Sequence, residues 1–220
     1  MVWSREMEQA LITLGELADL ASAIRRKLKS TNEDVSRSFE TYSIMFQNPL
    51  GEEPRPAPGI SERISYQRFM EMKDKQRLRI ARRTLFASGY SAVERFLVLR
   101  VPGCNPKSKF SYLKLKLLEA LNLQAEEGSL SEKSFEKLNY YRIARNKIVH
   151  QCALVNQTDS DDDEKTLLAA NLSPVFLDEV EGHEDLKEIV VQETFLGDYF
   201  SFLQDFATDI DGKLHGATPC

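Results

Sequence analysis

The chain has 220 residues, 42% hydrophobic and 29% charged, with a formal net charge of −5. That is ordinary for a soluble globular protein, and it is enough chain to bury a sizeable core in one domain or one domain with an elaboration. The acidic balance argues against a generic nucleic-acid binder, no basic region followed by an apolar run marks a signal peptide, and no apolar run approaches a membrane span. Cys104, Cys152 and Cys220 are odd in number and lack CxxC spacing, so free thiols in the cytoplasm are expected.

Residues 2–29 carry Met7, Leu11, Leu14, Ala18, Ala21, Ile24 and Leu28 on one helical stripe, and residues 34–47 predict a second, shorter helix. Four prolines and two glycines between Asn48 and Gly59 forbid a helix there. The expected organisation is N-terminal helices over 1–47 packing on the rest, a Pro-rich loop over 48–60, a helical bundle over 61–212 and a flexible tail over 213–220. Residues 61–100 give the longest helical pattern, in which Gly89 permits a kink or a close helix crossing, and Pro102-Gly103 ends it. Residues 108–123 predict a basic amphipathic helix.

Ser129 or Ser131 can cap the next helix, with Glu132 in its first turn complementing the helix dipole. Along it a heptad seam runs from Leu138 through Tyr141, Arg145 and Ile148 to Cys152, and Arg145 stands where the period asks for an apolar side chain. Asn146 and His150 are four residues apart and share a face, and Arg145 lies about 100° round and roughly 7.5 Å along the axis from His150. An Arg/Asn/His cluster at the edge of a buried surface is therefore expected. The acidic run from Asp159 to Glu164 lacks the pattern of an EF-hand and reads as a mobile loop. Residues 174–177 and 186–192 predict a short β-hairpin with His183 in its turn, and a last helix begins near Thr194, with Phe195, Tyr199, Phe202, Leu203, Phe206 and Ile210 as its stripe. His215 falls in the tail.

No P-loop, dinucleotide fingerprint, GxSxG elbow or zinc-type spacing is present, so no cofactor and no metal is expected. The remaining chemistry is that of Arg145, Asn146 and His150. Metal-free chemistry on a phosphate needs a group to move a proton and cationic donors for the charge on phosphorus. His150 suits the first task and Arg145 the second; Asn146 either orients His150 or holds a phosphate oxygen. The structural alternative for Arg145 is an ion pair with Glu94 or Glu136.

Arg145-Asn146-Lys147-Ile148-Val149-His150 resembles the Arg-Asn-x-x-x-His form of the Arg-x(4 to 6)-His motif of HEPN domains, an all-α family that includes toxin, anti-phage and CRISPR-associated ribonucleases. The aromatic-rich helix before the motif, and Glu94 on the earlier helix within Gly89 to Leu97, support the resemblance, which covers residues 61–212. It implies an all-α, HEPN-like antiparallel helical bundle with a short β-hairpin insertion before the C-terminal helix, acting as a metal-independent endoribonuclease that cleaves single-stranded or structured RNA through 2′-hydroxyl attack in a stress, toxin or anti-phage defence role. The implied catalytic residues are Arg145, His150 and Asn146, with Glu94 and Tyr141 in support; the expected RNA contacts are Lys147 within the motif and, from the basic stretch before it, Arg79, Arg82 and Arg83. The implied partners are RNA, a second copy packed through the apolar seam of Tyr140, Tyr141 and Ile148, and an antitoxin or regulatory protein, with no membrane. Cys152 departs from the Tyr that nucleotide-silenced members carry two residues after the His. The competing reading is a non-catalytic HEPN-like nucleotide-binding or protein-interaction module.

Charge is unevenly spread: residues 61–118 hold 14 basic and 4 acidic side chains, and residues 152–220 hold 3 basic and 16 acidic. The bland reading is solvated helix faces. The sharper one is that Arg68, Lys73, Lys75, Arg77, Arg79, Arg82 and Arg83 track a phosphate backbone toward the motif.

Overall fold

The computed structural model describes residues 4–24, 26, 60–105, 110–121, 131–158, 161–169, 175–192, 194 and 196–216. The expected helix over 34–47, the Pro-rich stretch over 48–59, Ser129 and Phe195 lie outside them. The described residues are mostly helical, with one small antiparallel sheet. The helices are α1 (residues 5–24), α2 (Ile60–Arg100), α3 (Phe110–Ala120), α4 (Glu132–His150), α5 (Asp162–Ala169) and α6 (Leu196–Gly216); the strands are β1 (Leu154–Asn156), β2 (Val175–Val180) and β3 (His183–Val191). No described helix is long and apolar enough to cross a membrane.

Two compact units are present, one of residues 1–19 with 82–220 and one of residues 20–81. The division falls inside α1 and α2 rather than at the Pro-rich stretch. In the second unit α2 exposes Met72, Lys73, Lys75, Arg77, Arg79 and Ile80.

In the first unit, α2 buries Leu85, Phe86, Tyr90, Val93, Phe96 and Leu97, the spacing of one helical face. The helix stops at Pro102-Gly103, where Gly103 takes φ 76° and Cys104 N–H returns to the Val101 carbonyl at 3.1 Å. Gly89 lies where α6 crosses: a Cβ there would stand 2.8 Å from a Phe200 ring carbon and 3.0 Å from one of Tyr199, so the expected close crossing is present. Tyr199 completes the junction by donating its hydroxyl to the Phe86 carbonyl at 2.7 Å.

Ser131 caps α4, accepting from Ser134 N–H, with Glu132 in the first turn. Its buried face comprises Phe135, Leu138, Tyr140, Tyr141, Ile143, Ala144 and Lys147. Tyr141 meets Phe86, Tyr199 and Phe202 edge-on at 5.6, 5.0 and 5.8 Å, and each fully buried aromatic stabilises the fold by about 1.5–3 kcal/mol. The expected seam is thus turned: the charged residue on the buried face is Lys147, whereas Arg145 and Ile148 are half-buried at its edge. Tyr140 and Tyr141 lie in their own protein's core, which corrects the expectation that they form an apolar patch for a second copy.

After His150 the chain reverses through Cys152 (φ 53°) and Ala153 (φ 65°), a backbone region that costs a non-glycine residue. Ala153 N–H bonds back to the Lys147 carbonyl at 3.0 Å and the chain enters β1, a strand not foreseen in the sequence. The sheet order is β1-β3-β2, both pairs antiparallel. The expected hairpin is present as β2 and β3, turning at Glu181-Gly182 with Gly182 at φ 79° and His183 opening β3.

Two further expectations are corrected. The acidic run does not stay a loop from Asp161 onward: Asp161 accepts from Glu164 N–H at 2.7 Å while Glu164 accepts from Asp161 N–H at 3.0 Å, a reciprocal cap that starts α5. Nor is residue 213 the start of a tail, because α6 runs through Gly216 and His215 Nε2 lies 3.5 Å from Asp211. Asp211 is fully buried. It accepts from Ser4 Oγ at 2.8 Å, Ser4 N–H at 3.2 Å and Arg100 Nε at 3.1 Å, so the ends of α1, α2 and α6 meet on one carboxylate.

Candidate functional site

The aromatic packing of Tyr141 against Phe86 sets the rotation of α4 on α2. One turn further along, Arg145 therefore faces Ser91 and Glu94. Its Nε and Nη2 donate to Ser91 Oγ at 3.4 and 3.2 Å, Nη1 donates to Asn146 Oδ1 at 2.9 Å, and Nη2 lies 3.6 Å from Glu94 Oε2. Ser91 in turn donates to the Ala87 carbonyl at 2.9 Å, which leaves its lone pairs for the guanidinium. The longest of these contacts is the carboxylate one, so Ser91 and Asn146 aim the fork more firmly than Glu94 does.

These groups open onto a cleft of about 720 Å³ lined by Glu94, Arg142, Arg145, Asn146 and His150 on one side and by Asp161 and Asp163 on the other. His150, at the end of α4, is exposed. Around the cleft, burial pushes the Tyr90 hydroxyl well up, with the Glu94 charge adding to it; burial, then Glu94, also raises the Cys104 thiol. Chemically the cleft offers a titratable imidazole, a fixed fork donor, an amide and a second arginine, Arg142. Among the described residues no group of three or more His, Cys, Asp or Glu could hold a metal ion.

Arg145, Asn146, His150 and Glu94 are therefore brought together, as expected. Others are not. Tyr141 points into the core, and burial pushes its hydroxyl well above the ordinary range, with Tyr140 and Asp198 adding to the effect. Lys147, expected to touch RNA, is buried: Nζ lies 2.7 Å from Glu164 Oε1 and 3.5 Å from Asp161 Oδ2. A carboxylate already satisfies it. Burial alone would raise the Glu164 carboxyl, but hydrogen bonds from Lys147 and from the Asp161 and Asn156 backbone outweigh it and hold Glu164 below its usual value. Arg83, likewise expected on RNA, donates through Nε and Nη2 to the Ile189 carbonyl at 2.9 and 2.6 Å and pairs with Glu188 at 2.6 Å. It fastens α2 to β3. Arg82 is half-buried in the same unit, and Arg79 is exposed in the other.

Sequence reasoning passed over Ser91 and Arg142. Each lies three residues before a residue it did select, Glu94 and Arg145, so helical spacing could have found both. No protein-family model, curated protein or solved structure matches this chain.

Proposed function

We propose that the chain is a HEPN-like helical bundle acting as a metal-independent endoribonuclease in a stress, toxin or anti-phage role, with Arg145, Asn146 and His150 as its reacting groups. The observation that carries this reading is their convergence, with Glu94 behind them, on one polar cleft. His150 takes the proton of a 2′-hydroxyl, whose oxygen attacks the adjacent phosphorus as the bond to the 5′ oxygen breaks. Arg145 holds the phosphate oxygens on which charge gathers, a task that matches its fork geometry. The departing 5′ oxygen needs a proton in turn, and a second copy's His150 is proposed to supply it. Ile148 and the exposed Val149 flank a groove on α2 lined by Thr84, Ala87, Ser88 and Ser91, and that groove supports a contact of two copies beside Arg145.

Single-stranded RNA should be cut in excess EDTA, leaving a 2′,3′-cyclic phosphate and a 5′-hydroxyl, whereas DNA is spared. His150→Ala and Arg145→Ala should each slow cleavage by about 10²-fold or more with unchanged circular dichroism, and Arg145→Lys, which keeps the charge but not the fork, should stay slow. Strict dependence on added Mg²⁺, or cutting of fully 2′-O-methylated RNA, would sink the proposal. Light scattering from a stable, active monomer would remove the second copy from it. The competing reading is a non-catalytic nucleotide-binding or interaction module; in its favour, all three guanidinium nitrogens of Arg145 already have partners in the protein. It expects no cleavage by wild type or variant.

A further inference from the structure

Helix α4 sends three cations toward the cleft, and their partners differ. Lys147 is withdrawn, its side chain 6% exposed against a carboxylate 9% exposed. Arg145 is fixed by Ser91 and Asn146. Arg142, one turn before Arg145 on the same side of the helix, is as exposed as Arg145, both at 21%, but much less engaged. Its Nε donates to Asn139 Oδ1 at 3.1 Å, its Nη2 reaches Asp163 Oδ1 only at 3.4 Å, and its Nη1 meets no partner among the described residues. The bond that Arg142 donates to Asn139, itself one turn back on α4, aims the guanidinium without neutralising it.

The contact to Asp163 is of a different kind. A charge-assisted N–H···O bond is ordinarily about 2.7–2.9 Å long and, with arginine, often bidentate; this one is longer and made by a single nitrogen. Asp163 is 46% exposed, so water competes for it. A carboxylate here offers Arg142 the same planar pair of oxygens that a phosphate would offer, in weaker form. Asp163 belongs to the second residue of α5, whose start is fixed by the Asp161/Glu164 cap and by Lys147. The acidic helix is therefore anchored by Glu164 and presents Asp163 to the cleft.

We propose that Arg142 is a second phosphate-binding residue of this cleft and that Asp163 stands in for the phosphate until a single strand of RNA displaces it. This rests on the proposed function: Arg145 takes the phosphate under attack and Arg142 a neighbouring one on the same strand. Lys147 and Arg83, the basic residues that the motif and the charge pattern favour, take no part. The strand must displace a carboxylate to enter, so each binding event trades one anion for another at Arg142, and weakly bound anions are kept out.

The test uses the full chain and a short single-stranded RNA with every 2′-hydroxyl methylated, followed by fluorescence anisotropy at several salt concentrations. Because this probe cannot be cleaved by 2′-hydroxyl attack, the result stands apart from turnover and from the fate of the ribonuclease reading. Arg142→Ala should weaken binding by about tenfold or more and flatten the slope of log K against log salt by about 0.7. Asp163→Asn should tighten binding about two- to fivefold, and Asp162→Asn, which makes the same charge change on a fully exposed side chain, should do less. In the Arg142→Ala background, Asp163→Asn should have no effect. Circular dichroism and thermal unfolding verify that each variant folds. Wild type that does not bind the probe, Arg142→Ala that binds as wild type does, or tightening by Asp163→Asn that persists without Arg142, would each overturn the proposal.

Discussion

Lys147 and Arg145 stand two residues apart on one helix, both cationic, and they meet opposite fates. Lys147 turns inward to a buried carboxylate 2.7 Å away, whereas Arg145 stays at the rim of the cleft, aimed by a serine and an amide. The same contrast separates Arg83, which grips a backbone carbonyl of β3, from Lys73 and Lys75, exposed on α2. Residue type and spacing nominate a cation for function. What it is paired with, and how dry that partner is, decides whether its loss is felt as instability or as lost ligand.

The contrast can be broken in the order of the effects it expects. The largest should come from Lys147→Ala, which leaves Glu164 charged and buried without its partner and should cost about 3–5 kcal/mol in urea unfolding; a variant of wild-type stability with weakened RNA binding would return Lys147 to the ligand side. Arg83→Ala should come next, at about 1–3 kcal/mol, because the Ile189 carbonyl loses its side-chain donor. Its companion Lys75→Ala, an exposed group in the same basic stretch, should stay within about 0.5 kcal/mol.

The smallest effect is one of pH. Glu164 titrates below its usual value in the folded chain, so the folded state holds fewer protons than the unfolded one near the unfolded pKa of about 4.3. Its contribution is full above that value and is lost as pH falls through the lower folded pKa. Between about pH 5 and pH 3 the wild-type urea midpoint should therefore fall more steeply than that of Glu164→Gln. Parallel curves would show that the Lys147 pair adds nothing to acid stability.

The helical class, the hairpin, the cap of α4 and the Gly89 crossing were legible because each is encoded locally, by apolar period, by Gly and Pro, or by a capping serine. The Arg145/Asn146/His150 cluster was legible for the same reason: six consecutive residues of one helix set it. What could not be read is what those residues meet. Arg83 finds its carbonyl 106 positions away, and Lys147 finds Glu164 only because the chain doubles back through two left-handed residues that are not glycine. The acidic run looked too repulsive to fold, yet one of its members is neutralised by Lys147 and another caps the helix. β1 is three residues long, too short for a period to register, and exists because β3 offers it an edge.

Asp211 carries a consequence for how the molecule is made. Its carboxylate receives both the backbone and the hydroxyl of Ser4, 207 positions earlier, and α6 supplies the Tyr199 and Phe206 that fill the core. Translation delivers residues in order, at about 5–20 per second, so Ser4 waits for synthesis to advance 207 positions before the carboxylate that receives it exists. Loop closure over that span is slow relative to helix formation. The Ser4 end of α1 is thus pinned only once α6 has been made, and over that interval it is open to whatever chaperone or neighbouring chain reaches it first.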